Sequence, residues 1–116
     1  MGASEWRLIG NLADIPRSGA RRVRIGEVEV GVFRTANDQL FALEDVCPHL
    51  GGPLSEGIVH GNSVTCPLHN LVIDLESGQS VDPKPKCVRS CMIRLEGDQV
   101  FLSNPDLHEL ASKRLS

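Results

Sequence analysis

The chain has 116 residues, the length of a single domain, and a formal charge of -3 from 12 basic and 15 acidic side chains. That balance, with no basic stripe interleaved with aromatics, excludes nucleic acid as the main partner. One Trp, three Phe and no Tyr mean that any core is built mainly from aliphatic side chains.

No apolar run approaches the roughly 20 residues that a membrane helix needs, so no membrane partner is expected. The start, MGASEWRLIG, carries neither a signal-peptide pattern nor a myristoylation site. The expected location is the cytoplasm, where four cysteines point to metal or redox chemistry before structural disulfides.

The pattern along the chain is strand-like. Val23 and Ile25, then Val28, Val30 and Val32, alternate with polar or small residues, the period-2 mark of a half-buried sheet. Gly26-Glu27 divides this run into a hairpin. Asn37-Asp38 is a turn signal before a strand over 40–46. Short strands fit Val64-Thr65 and Leu71 to Asp74, with Gly61-Asn62 as a turn before them. Met92 to Leu95 and Gln99 to Leu102 flank Glu96-Gly97-Asp98 as a further hairpin. Asn104-Pro105-Asp106 can start a short helix through Leu107 to Ser112, or the tail 103–116 is a frayed end. The fold expected from the pattern is one all-β, antiparallel domain over 1–116 with a long functional insertion.

Within that insertion stand Cys47 and His49, sixteen residues, then Cys66 and His69. Pro48 and Pro67 follow the cysteines directly, each fixing φ and removing a backbone donor. Gly51-Gly52 lets the backbone turn closely behind the first pair. Any one of these residues alone reads as an ordinary buried thiol or turn histidine. Four of them in two matched Cys-Pro pieces read as metal ligands. His60 and His108 share none of this spacing, and His60, in a turn, is expected to be a surface residue.

Two Cys and two His can make a tetrahedral zinc site, so a zinc-stabilised binding module is one alternative. Zinc sites more often pair cysteines on one knuckle, whereas here each piece offers one sulfur and one nitrogen. That order suits a two-iron cluster with chemically different ends, two thiolates on one iron and two imidazoles on the other.

CPH, sixteen residues, then CPLH, with the flanking glycines, resembles the Rieske [2Fe-2S] motif. The resemblance covers roughly residues 5 to 102. It implies a Rieske iron–sulfur fold, an antiparallel β-sandwich with a small two-loop cluster-binding subdomain at about 45–75. It further implies that Cys47 and Cys66 bind an inner iron and His49 and His69 an outer one. SVDPKPKCV is similar to the family's proline loop over the cluster, with Pro83 and Pro85 shielding it. Respiratory-chain members carry a disulfide between the two loops, at positions matching Gly52 and Leu68 here. Their Ser and Tyr donors correspond to Leu71 and Ile73, so the resemblance implies a low reduction potential. Cys87 and Cys91 match neither disulfide position and are expected to be unpaired thiols.

The segments CPHLGGPLSEGIVHG, VTCPLHNLVIDLESG and CVRS are most similar to the small subunit of assimilatory NAD(P)H nitrite reductase. That likeness implies a one-electron carrier with no catalytic residue of its own, and a large flavin- and sirohaem-bearing subunit as partner in reducing nitrite to ammonium. The family's usual Trp is Leu71 here. The alternative within the Rieske class is a ferredoxin that serves an aromatic-ring dioxygenase, with an oxygenase and its reductase as partners.

Overall fold

The computed structural model describes residues 5–46, 53–66, 71–81 and 87–115. Its strands are β1 (Trp6–Asn11), β2 (Gly19–Ile25), β3 (Val28–Arg34), β4 (Leu40–Glu44), β5 (Ile58–His60), β6 (Ser63–Thr65), β7 (Val72–Asp74), β8 (Ser90–Cys91), β9 (Ile93–Glu96) and β10 (Gln99–Ser103). One helix, α1 (Asn104–Leu115), follows β10 directly. The strands form three antiparallel sheets, β1-β10-β9, β2-β3-β4-β8 and β5-β6-β7.

The expected hairpins are present, each at a glycine that tolerates a positive φ. Gly26 (φ 61°) turns β2 into β3, Gly61 (φ 56°) turns β5 into β6 and Gly97 (φ 58°) turns β9 into β10. Asp38 makes the turn before β4 at φ 64°, and its carboxylate accepts from Arg17 and Arg34. The hydrogen bond from Arg34 holds the Asp38 carboxyl below its ordinary pKa.

The middle sheet is a partition between two cores. Val28, Val30, Val32 and Ala42 face one side, where they meet Ile15, Cys91, Val100, Leu102, Leu107 and Leu110. Phe33 and Leu43 point to the other side, into a second core with Leu54, Val59, Val64, Cys66, Ile73, Leu75 and Val88. Val28, Val30 and Val32 are buried on one face, as the alternation expects, but Phe33 on the opposite face is buried as well. The reason is the small sheet β5-β6-β7, which covers the second face.

The tail takes one of the two expected forms. It is a helix through Leu115 and not a frayed end, because Leu107 and Leu110, three residues apart, pack into the first core. Asp106 further fixes it by accepting the Met92 backbone N–H at 2.8 Å. The described part of the fold is therefore an antiparallel β structure with one short helix, as the Rieske resemblance implies.

Candidate metal centre

Of the four expected ligands, Cys66 lies within the described residues. Cys47, His49 and His69 lie outside them, as do Gly52, Leu68, Pro83 and Pro85. The structure nevertheless shows what holds the ends of the segments 47–52, 67–70 and 82–86.

Cys66 stands directly after β6 and is fully buried in the second core. Its backbone N–H donates to the Leu71 carbonyl at 2.7 Å, which brings together the two ends of 67–70. Across the small sheet, Ile58 is opposite Thr65 and Thr65 opposite Val72, while Val81 N–H donates to the Val72 carbonyl at 2.9 Å. One row therefore contains the residue after Gly57, the residue before Cys66, the residue after Leu71 and the residue before 82–86. That row is one end of the small sheet: Ile58 begins β5, Thr65 ends β6 and Val72 begins β7.

The approach of the chain entering β5 to the end of β6 depends on Gly57. Its φ of -79° is ordinary, so space rather than conformation demands the glycine. A Cβ there would fall well inside contact distance of the Thr65 carbonyl oxygen, with Val64 Cγ2 at 3.0 Å behind it. On the far side, Gly78 (φ 76°) receives Val88 closely, and Val88 N–H donates to the Gly78 carbonyl at 2.7 Å. That contact, with the Gln79–Cys87 bridge, anchors the return from 82–86.

Two charged pairs lie at the end of β4. Glu44 on β4 takes a bidentate grip from Arg89, at 3.0 and 2.9 Å. Asp45, with its side chain fully buried, accepts from Arg22 Nε at 2.9 Å and from both the N–H and the hydroxyl of Ser55 at 2.7 and 2.6 Å. This hydrogen bond raises the Arg22 pKa above its ordinary value. Asp45, Ser55 and Gly57 were not legible as site residues. A polar residue beside a ligand motif gives no sign of where its side chain goes.

The donor set fits a cluster with two chemically different ends: two soft thiolates and two imidazoles, one of each per segment. Cys66, the expected ligand among the described residues, is shielded from water in an apolar core, where an iron held by a thiolate would be protected. His60 is exposed, as expected, and its Nε2 lies 2.6 Å from Thr65 Oγ1; His108 is exposed too.

The other two cysteines are unpaired thiols, Cys87 exposed and Cys91 buried. Burial pushes the Cys91 thiol up to about 11. At pH 8 its thiolate is then on the order of one part in a thousand, and thiolate is the reactive form. Iodoacetamide at pH 8 is expected to modify Cys87 in the folded protein and to reach Cys91 only after denaturation, as read by peptide mass mapping. Early labelling of Cys91 would contradict its packing.

A family model described as the Rieske [2Fe-2S] domain matches residues 5–92, most of the chain. The chain belongs to the Rieske [2Fe-2S] family. The anthranilate 1,2-dioxygenase ferredoxin subunit of Burkholderia cepacia is 35% identical over 103 residues, covering 84% of this chain and 90% of that protein. A solved complex of reduced oxygenase and oxidised ferredoxin in carbazole 1,9a-dioxygenase contains a chain that superposes with a TM-score of 0.75 at 26% identity, covering 84% of this Rieske chain and 92% of that one. A chain assigned as the small subunit of an NADH-dependent nitrite reductase from Mycobacterium tuberculosis superposes with a TM-score of 0.76. At 20% identity, over 85% of this chain and 94% of that one, it shows the shared fold alone.

Membership makes a Rieske-type [2Fe-2S] cluster the cofactor and one-electron transfer the chemistry that the bound group supplies. It sets aside the zinc-stabilised module, whose ligand chemistry the four residues also allowed. Among the described residues no helix is long and apolar enough to cross a membrane.

Proposed function

We propose that this Rieske protein is the electron-transferring small subunit of an NAD(P)H-dependent nitrite reductase, acting in the cytoplasm on a large flavin- and sirohaem-bearing subunit. Cys47 and Cys66 hold the inner iron and His49 and His69 the outer one. The observation that carries the subunit reading is the run CPHLGGPLSEGIVHG, continued by VTCPLHNLVIDLESG and CVRS, which resembles that subunit family. A second reading, a ferredoxin serving an aromatic-ring dioxygenase, is favoured by the 35% identity to the anthranilate dioxygenase ferredoxin along almost its whole length.

Stoichiometric electron transfer separates the two. The reduced protein is mixed anaerobically with a nitrite reductase large subunit, and its reoxidation is followed by visible absorption. Nitrite-dependent reoxidation with ammonium formed is expected. No response to nitrite, with rapid reoxidation by an oxygenase supplied with aromatic substrate and oxygen, would replace the first reading by the second.

The potential is expected to lie near the low end of the Rieske range, roughly -150 mV. A hydroxyl that donates toward a cluster stabilises its reduced, more negative state, and neither Leu71 nor Ile73 has one. Ile73 is fully buried in the second core and Leu71 packs against that core. Protein-film voltammetry giving a value above about +100 mV would contradict this.

A further inference from the structure

The polar groups at the end of β4 make a connection that the ligand motif does not contain. Asp45 is the last residue but one before the segment 47–52, and Ser55 lies two residues after Pro53, where the described chain resumes. A single buried carboxylate joins them: Ser55 donates its N–H to Oδ1 at 2.7 Å and its hydroxyl to Oδ2 at 2.6 Å. From β2, Arg22 Nε donates to Oδ2 at 2.9 Å, and Arg22 also lies 3.8 Å from Glu56. Asp45 N–H in turn donates to the Glu29 carbonyl on β3 at 2.9 Å.

Space for this carboxylate is made by Gly31. A Cβ on Gly31 would meet the Phe33 ring at 2.9 Å and Asp45 Oδ1 at 3.3 Å. A carboxylate with no solvent exposure must have its charge met by donors, and three are supplied here. Among the described residues no buried side-chain polar atom lacks a partner. Such a group is costly to bury and easily replaced by apolar packing, so its stability contribution alone does not explain it.

We propose that Asp45 is the positioning residue of the first ligand segment, clasping its two ends together so that Cys47 and His49 are presented in one arrangement. The inference rests on the Rieske ligand reading. The clasp ties residue 45 to residue 55 and both to β2, and so shortens the freedom of everything between them. It acts through Cys47 and His49, in the manner of outer groups that orient ligands and are worth about 10–100-fold in metal affinity.

The test uses the cluster-loaded protein. Cluster loss is timed by bleaching of visible absorption in bathophenanthroline disulfonate, and the reduced cluster is examined by electron paramagnetic resonance. Asp45→Asn is expected to bleach about tenfold faster than the parent and to show broadened or shifted lines. Ser55→Ala keeps the charge and the N–H contact, and should fall between them. Leu107→Ala, in the core on the opposite face of the partition, serves as the control for general destabilisation. Its melting temperature should fall while its resonance lines stay unchanged. If Asp45→Asn does not fold, Ser55→Ala and Arg22→Gln decide the question. Variants that bleach no faster than the control, with parental resonance lines, would overturn the inference alone. A parent protein without iron would overturn the ligand reading as well.

Discussion

Cys66→Ala is expected to be purified without its cluster, with iron below about one tenth of the parent content. Cys66 sits in an apolar core with Leu54, Val64 and Ile73, where alanine offers no donor. With a water-excluded position, no solvent oxygen can substitute readily for the lost sulfur. Changing His49 or His69 to Ala removes a nitrogen donor and should abolish the Rieske resonance signature. Cys91→Ala serves as the contrasting substitution, since Cys91 lies in the first core, against the opposite face of the middle sheet. It should keep full iron content and lose only packing stability. Iron analysis and electron paramagnetic resonance on the four proteins read the result. A cluster of parental signature in Cys66→Ala would remove that residue from the ligand set.

Gly57→Ala is expected to destabilise the loaded protein by about 3 kcal/mol, the upper part of the range for overpacking a closed site. The obstacle is backbone on both sides: the Thr65 carbonyl oxygen and the Leu54 carbonyl oxygen at 3.1 Å. Neither is the end of a flexible side chain, and Thr65 is fixed between Ile58 and Val72. Relief requires that the chain entering β5 move away from Thr65, the residue before Cys66. A fall in melting temperature of at least roughly 10 °C should follow. Gly61→Ala supplies the comparison, since its φ of 56° is left-handed but open space surrounds it. Its cost should be only the left-handed penalty of about 1–2 kcal/mol. Equal melting temperatures for the two variants would contradict the close approach at Gly57.

The parts of the fold readable from sequence were those with a clean local signal. β2 and β3 alternated around Gly26-Glu27, and β9 and β10 flanked Gly97. β1 gave no such signal, because its register breaks between Leu8 and Gly10 and it depends on pairing with β10. β5 is three residues long, and its apolar Ile58 points outward at 71% exposed, against the usual pattern. β8 has two residues and exists by pairing with β4. In the tail, Leu107 and Leu110 carried helical spacing, but nothing local told which core they would join.

At the candidate site the sequence marks the expected ligands and not the groups around them. Cys47, His49, Cys66 and His69 announce themselves by type and spacing. The clasp at Asp45 joins residues from β2, the end of β4 and the turn at Leu54–Glu56, which are brought together only by the tertiary fold. Gly57 was one glycine among eleven, and its need for space comes from a strand eight residues later.

Mössbauer spectroscopy of the iron-57-enriched, oxidised protein tests the ligand arrangement most directly. Two thiolates on one iron and two imidazoles on the other require two different iron environments in equal amounts. Two components of equal area are the expected result. A single iron environment, or a protein purified with zinc in place of iron, would contradict it.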